Sequence, residues 1–476
     1  MKRLIIIPFL FISIVLFSQK NAFNELISSQ SMDQAAVSFT VTSCSDGKVI
    51  FSYNTETPLI PASTQKIISS AAALEMLGDD YKYETAIYYY GTISNSGKLK
   101  GDIIIKGTGD PTLGSEYFSA HYGDFISKWV EKIKNIGISE IQGGVIADDS
   151  YFDYQPVPSK WLWEDVGNYY GAGVYGISIL DNTYKIHFKT DTEGAMPTIT
   201  NIEPANFQIN LANMLKSSGT SDEGYIYASP YGTMGWISGT IPANRMDFIL
   251  KGSITDPPLL VAKMLTTALE NAGVRVSNKP TTTRVSALPS NYTPSLITRT
   301  YSPTIDKIIY TLNHNSINMY AETFVKTLGK KFEEKGSYNS GISIIESFVS
   351  KMGVKKEEVS IVDGSGLSMA NSVSSNAIVK VLNYMKSSDY YSTFFESLPK
   401  PGSEGTLQNT FLLPELKENL VAKSGSMKNV KSYAGYLRAK SGSLLSFCII
   451  VNNYNGSSTS LTEKIEKILD ETYNNN

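Results

Sequence analysis

Cysteine is nearly absent from this 476-residue chain, which holds only Cys44 and Cys448. Two cysteines exclude a disulfide scaffold. Both lie in strand-like sequence near opposite ends, which leaves a bridge between neighbouring terminal strands open. Histidine is scarce as well, at His121, His187 and His314, and no Gly-x-Ser-x-Gly elbow frames a serine. A Ser-His-Asp hydrolase therefore lacks its parts, and three scattered imidazoles make a poor zinc site. Neither sign of charge dominates: the formal net charge is −3 and the pI is near 5.8. Nothing here asks for nucleic acid or an anionic membrane as partner. The glycine-rich "GTGDPTLG" at 107–114 lacks a Gly-Lys-Ser/Thr ending, so it reads as a structural turn and not a phosphate loop. Long apolar runs are missing too, apart from the first.

That first run extends over Leu4 to Phe17 behind Lys2 and Arg3, with a polar stretch from Ser18 to Asn21. It is shorter than the roughly 20 residues that span a bilayer, so residues 1–18 read as an export signal. No cysteine follows it to carry a lipid. The expected product is an exported, periplasmic, soluble protein with weak or no membrane association after cleavage.

Composition is that of a folded protein, 42% hydrophobic and 18% charged, and the length implies two or three domains. Residues 36–54 read as a hairpin around Ser45-Asp46-Gly47. A buried helix follows between Pro61 and Gly78. From about 81 to 296 the texture is short alternating strands broken by Gly, Pro, Asp and Asn, closed by the helix-like "PPLLVAKMLTTALENAG". Longer helical patterns return near Pro303. A strand-rich stretch from Leu420 to Asn453 follows, then a last amphipathic helix with Leu461, Ile465, Ile468 and Leu469 on one face, expected to dock on a sheet. No repeat period is present.

Chemistry concentrates in three short segments. Ser63 and Lys66 sit three apart at the start of a helix, on one face. There the helix dipole favours a developing anion, and a lysine kept neutral by burial can take the hydroxyl proton. Alone, the pair favours a plainer reading, with Ser63 as a helix cap and Lys66 in solvent. Two further segments change that. Ser316 and Asn318 stand two apart in "NSINMYAE", and Lys423, Ser424, Gly425 and Ser426 open a strand in "AKSGSM". A hydroxyl and an amide relay a proton and orient substrate, a lysine attracts a carboxylate, and a glycine lets a strand approach a ligand. In this order the three read as an acylation centre. A second "AKSGS" at 439–443, with Lys440, suits a hairpin turn instead.

With these motifs the chain resembles the class C penicillin-binding proteins, the D-alanyl-D-alanine carboxypeptidase/endopeptidase family. The likeness extends through "GDIIIKGTGDPTL", "ADDSYFD", "WLWEDVGNYYGA", "VDGSGLS" and "EGTLQNTF". The 253 positions between Ser63 and Ser316 leave room for the domains this class inserts there. The resemblance implies an α/β, multi-domain protein: a penicillin-binding-protein/β-lactamase-like serine acyltransferase domain from residues 19–80 and 297–476. The insert is strand-rich with two subdomains, the outer from 81–165 and 251–296 and the inner from 166–250. It implies peptidoglycan stem peptides and cross-links as substrate, β-lactam antibiotics as covalent inhibitors, and no metal or cofactor. Ser63 would attack the D-Ala-D-Ala carbonyl, Lys66 accept its proton, and Ser316 pass a proton to the leaving group. Asn318 would hold the substrate backbone, Lys423 and Ser424 its carboxylate, and the N–H groups of Ser63 and Ser426 the oxyanion. Glu164 or Asp165 would meet the stem-peptide amine.

Three departures stand out. Ile317 replaces the usual aspartate and Ser424 the usual threonine, both keeping the reacting groups. Met369 stands where arginine often follows "DGSGLS", which alters side-chain preference. The competing enzyme is a β-lactamase, for which Glu415-x-x-x-Asn419 has suitable letters but sits too near the third motif. A peptidoglycan-binding scaffold with a dead site is the alternative from another class.

Overall fold

A computed structural model describes residues 20–289 and 292–476; the expected export segment lies outside the described residues. The two ends of the chain build one antiparallel sheet, in the order Leu420–Met427, Val430–Arg438, Leu444–Asn452, Ala36–Ser43, Val49–Tyr53. The expected hairpin at 36–54 is its far edge, with Gly47 taking the left-handed turn conformation at φ +70°. Alternation along these strands serves two faces. Phe39, Val41, Phe447, Ile449 and Val451 meet helices Lys20–Ile27 and Ser458–Asn474 on one side. Cys448, Ile450, Ala434 and Tyr436 meet the interior helices on the other. The last helix docks through Leu461, Ile465, Ile468 and Leu469, all buried, as its pattern requires.

The cysteines are both free thiols. Their strands are neighbours, but the register sets Cys448 opposite Thr40 and Leu445 opposite Ser43. Cys44 is thus about four residues out of step, roughly 13 Å along the strand, beyond disulfide reach.

Against the inner face lies the helix Lys66–Leu77, preceded by a tight 3-10 turn over Ala62–Gln65 and stopped at Gly78, φ +86°. Every residue from Lys66 to Leu74 is buried, which explains the small and apolar residues that surround this helix and the backbone carbonyls that Ser69 and Ser70 bond to. Helices Ile305–Asn315, Asn318–Glu333 and Ser375–Lys386 share its core.

Residues 84–301 contribute separate sheets. A seven-stranded sheet runs Arg275–Val276, Glu140–Ile141, Lys98–Gly107, Glu84–Ile93, Ser295–Tyr301, with Val145–Asp148 and Thr281–Thr282 off that path. Its last strand crosses the boundary expected at 296. Helices Phe125–Asn135 and Pro257–Asn271 pack with it. Two three-stranded sheets follow. One joins Thr183–Lys189, Thr198–Glu203 and Phe248–Ser253, and the other Asn210–Ser217, Glu223–Ala228 and Met234–Ile241. Residues 166–182 form no strand. They run instead as irregular chain back to the helix that begins at Asn318.

Candidate active site

The turn carrying Ser63 is pinned from beneath. The Pro61 carbonyl accepts from Thr64 Oγ1 at 2.7 Å and from Ser432 Oγ at 2.6 Å. Ala62 takes φ +47°, a left-handed conformation that non-glycine residues hold only under constraint. The strand Leu420–Met427 closes on this turn at Gly425, where a Cβ would lie 2.8 Å from the Pro61 carbonyl and 2.9 Å from the Ser63 nitrogen. Glycine is therefore required by close approach.

One helical turn on, Lys66 is fully buried. Its Nζ donates to Ser63 Oγ at 2.9 Å, Asn318 Oδ1 at 2.6 Å and the Ser365 carbonyl at 2.9 Å. These three acceptors use all the protons of an ammonium; when one is lost, Nζ becomes the acceptor for the Ser63 hydroxyl. Burial pulls Lys66 down to about 7, opposed by the nearby Glu322 and Asp363 carboxylates. Ser63 itself is half-buried.

Ser316 occupies the left-handed residue that ends helix Ile305–Asn315, φ 57° and ψ 38°. That reversal starts helix Asn318–Glu333 immediately, so Asn318 stands in its first turn. Asn318 Nδ2 donates to the Tyr170 carbonyl at 2.8 Å, tying the helix to the irregular segment. Lys423, also fully buried, donates to Ser316 Oγ and to the Ser424 carbonyl, both at 3.0 Å. Burial and then the Lys66 charge pull it well below the ordinary lysine value. Ser424 is half-buried and Ser426 exposed. The Lys423–Ser426 segment lies in the second half of its strand and not at the start, because Leu420, Val421 and Ala422 already pair with Leu437, Tyr436 and Gly435.

Two buried carboxylates were not singled out in the sequence. Glu322 accepts from Gly364 N at 2.9 Å and Ser365 N at 2.8 Å, and so fixes the carbonyl that holds Lys66. Burial, then the Asp363 charge, pushes Glu322 up to about 8. Asp363 accepts from Gly366 N, Ser368 N, Asn371 Nδ2 and Trp161 Nε1 between 2.7 and 2.9 Å. The available signal was Glu322 standing four residues after Asn318, on the same helix face.

Other sequence candidates fall elsewhere. Glu164 is exposed and Asp165 half-buried in the short helix Trp163–Val166, and neither bonds to the serines or lysines above. Burial, then the Glu164 charge, raises Asp165 to about 6, with the nearby Tyr170 hydroxyl opposing the shift. Met369 is half-exposed. Glu415 is exposed and Asn419 half-buried, and the Asn419 amide donates to the Glu415 carbonyl within their own helix turn. Lys440 lies in the hairpin between the last two strands. His314 is buried with its ring stacked on Tyr310, His121 bonds the Tyr301 carbonyl, and His187 faces Asp247. At 107–114, Asp110 accepts from Thr112 N and Tyr122 in a structural turn. Among the described residues no three His, Cys, Asp or Glu side chains gather as metal ligands.

A serine backed by a buried lysine, a Ser-x-Asn turn and a Lys-Ser-Gly strand, on a sheet between helices, define a penicillin-recognising serine acyl hydrolase. The chain belongs to the D-Ala-D-Ala carboxypeptidase 3 (S13) family, whose model matches residues 19–475. It is 25% identical over 447 residues to the D-alanyl-D-alanine carboxypeptidase of Actinomadura sp. (strain R39), covering 90% of this chain and 80% of that one. The crystal structure of penicillin binding protein 4 (dacB) from Haemophilus influenzae superposes with a TM-score of 0.79 at 23% identity, covering 95% of this chain and 97% of that one. The same protein complexed with a β-lactam gives 0.76 at 21% identity, over 94% and 99%.

Proposed function

We propose that this protein is a serine-type D-Ala-D-Ala carboxypeptidase/endopeptidase that cleaves peptidoglycan stem peptides through a Ser63 acyl-enzyme and is acylated by β-lactams. The observation that carries this is the 2.9 Å contact between Ser63 Oγ and the fully buried Lys66 Nζ. Lys66 in its neutral form takes the Ser63 proton as Oγ attacks the penultimate D-Ala carbonyl. The ester bond forms, the amide C–N bond breaks, and the proton that Lys66 took is handed on through Ser316, whose hydroxyl accepts from Lys423, to the departing amine, so Lys66 and Ser316 end as they began. Asn318 presents its amide to the substrate backbone. Lys423 and Ser424 attract the terminal carboxylate. The N–H groups of Ser63 and Ser426 receive the oxyanion, and water then releases the acyl group. Glu164 and Asp165 are proposed to meet the stem-peptide amine, Asp165 by way of its place beside Tyr170. No step uses a metal or cofactor.

Export to the periplasm through residues 1–18 belongs to the same reading. Its support is the short apolar run behind Lys2 and Arg3. Among the described residues no helix is long and apolar enough to cross a membrane. The proposed domain division, a catalytic unit from both chain ends around an insert, is supported by the separate sheets. Intact-protein mass spectrometry after benzylpenicillin treatment tests the function. A persistent adduct on wild type and none on Ser63→Ala is the expected result. Rapid drug turnover without an adduct would favour the β-lactamase, and an intact drug with no adduct the binding scaffold.

A further inference from the structure

Two of the four tryptophans stand in solvent. Trp129 and Trp161 are buried, whereas Trp163 and Trp236 are 48% and 37% exposed, and tryptophan is ordinarily among the most covered side chains. Both belong to one surface. Trp236 lies in the middle strand of the sheet formed by Asn210–Ser217, Glu223–Ala228 and Met234–Ile241, with Tyr227 directly across from it on one neighbour and Ala212 on the other. Its ring stacks on Tyr227 with centroids 5.0 Å apart and planes within 9°, and Trp163 stands 6.2 Å away at the start of the helix Trp163–Val166. We propose that Trp236, Tyr227 and Trp163 form a platform that binds a sugar ring of the glycan strand from which the stem peptide hangs. This rests on the function proposed above and adds a saccharide site to it.

Packing does not account for these rings. The other face of the sheet holds Ile226, Ala228, Ile237 and Ile241, all buried, so the core is already supplied, and strand alternation turns residues 227 and 236 outward, where polar side chains are usual. A contiguous apolar patch in such a place marks a binding surface. Its chemistry suits a sugar. One face of a pyranose is built of C–H groups, which fit the electron-rich face of an indole or phenol ring, while the hydroxyls and an acetamido group stay in water. Ala212 is small and exposed, and leaves room beside Trp236. Anionic ligands are disfavoured, because Glu164, Glu223 and Asp165 gather around Tyr225, the next outward residue of the same strand as Tyr227.

Position agrees with the substrate. A stem peptide runs from the scissile D-Ala, through its amine-bearing residue, to the sugar that carries it. The protein repeats that order: Ser63, then Asp165 and Glu164, proposed above for the amine, then Trp163 as the adjoining residue. The segment is held on both sides. Toward the nucleophile, Trp161 donates to Asp363 at 2.9 Å, and Asp363 accepts from Gln65, the neighbour of Lys66, at 3.1 Å. Toward the sheet, Asn168 Oδ1 accepts from Ile226 N at 3.1 Å. Gly167 packs so closely there that a Cβ would lie 2.0 Å from the Ile226 carbonyl oxygen. The rings are thus fixed relative to Ser63 before a ligand arrives, which lowers the ordering cost of binding.

The test has two readouts on the mature full chain. Calorimetric titration with tetra-N-acetylglucosamine, which carries no peptide, should give a Kd of about 1 mM or tighter. Trp236→Ala should weaken it about tenfold, and Trp236→Tyr, which keeps an aromatic face, should retain it. Trp163→Ala, on a separate element, repeats the comparison if the first variant is unfolded. The second readout is the ratio of kcat/KM for a disaccharide-pentapeptide to that for the same pentapeptide without sugar. Wild type should favour the sugar-bearing form about tenfold, and Trp236→Ala should erase the preference. No binding of the tetramer, binding unchanged in Trp236→Ala, or a wild type indifferent to the disaccharide would overturn the inference. So would a face that ignores the sugar and instead binds phosphatidylcholine vesicles in wild type but not in Trp236→Ala, which assigns it to a membrane. A chain that binds the tetramer through Trp236, yet cleaves neither peptide and is not acylated by benzylpenicillin, overturns the proposed function and supports the saccharide site.

Discussion

At the scale of single residues, the proposed activity turns on one proton at Lys66. Burial pulls its pKa down to about 7, and only the neutral amine can act as base. Acylation should therefore rise as pH increases through about 7, and fall about tenfold per unit below it. Lys423 must keep its charge to attract a carboxylate, and its pKa is also depressed, so a second limb should appear below the ordinary lysine range. A bell-shaped profile of kcat/KM measured from pH 5 to 10 checks both limbs. A flat profile across neutrality would remove Lys66 from the role of base. Lys66→Ala should slow acylation by about 10²–10⁴-fold. The residues that touch one another here were legible because their spacings are short and their order is fixed. Glu322 and Asp363 were not. Glu322 acts through burial beside Lys66 and through backbone N–H groups of a loop some forty residues away, and Asp363 through burial and the N–H groups of that loop, which is its own; burial and loop geometry are not written in the motif spacings.

Among elements, the strand Leu420–Met427 and the turn at Ser63 are fitted to each other through Gly425. An added methyl there would lie 2.2 Å from Ser432 Oγ, 2.8 Å from the Pro61 carbonyl and 2.9 Å from the Ser63 nitrogen. The last two are backbone, so the turn or the strand must move. Gly425→Ala should cost about 1–3 kcal/mol of stability and slow penicillin acylation by about 10²-fold through misplacement of Ser63. Denaturation and stopped-flow acylation read the two effects; wild-type acylation in the variant would contradict the fit. Element types were largely legible, since the hairpin at 36–54 and the final amphipathic helix both follow from periodicity. The segment 166–182 was not. Tyr169, Tyr170, Leu180 and Asp181 look like material for a subdomain by composition, yet hydrogen bonds to Asn318 and Tyr320 draw them to the cleft.

Over the whole molecule, segments some two hundred residues apart in the chain meet at Asp363. Trp161, two residues ahead of the short helix at Trp163–Val166, donates its indole N–H to Asp363 Oδ2 at 2.9 Å, and both groups are buried. Trp161→Phe keeps the ring bulk and removes the donor. It should cost about 1–3 kcal/mol, read as a lower denaturant midpoint, with a parallel drop in acylation rate. An unchanged midpoint would show that the remaining donors to Asp363 suffice. A last consequence concerns time. The strand Ala36–Ser43 lies inside the catalytic sheet and pairs directly with Leu444–Asn452, with Ala36 opposite Asn452. Strand pairing over such a separation is slow to form, and it cannot begin until residues 444–452 have been made. The turn holding Ser63 rests on Ser432 and Gly425, which arrive equally late. A chain still being synthesised thus carries Ser63 on an unfinished sheet, and the proposed hydrolytic centre cannot assemble until residues 420–452 have joined it.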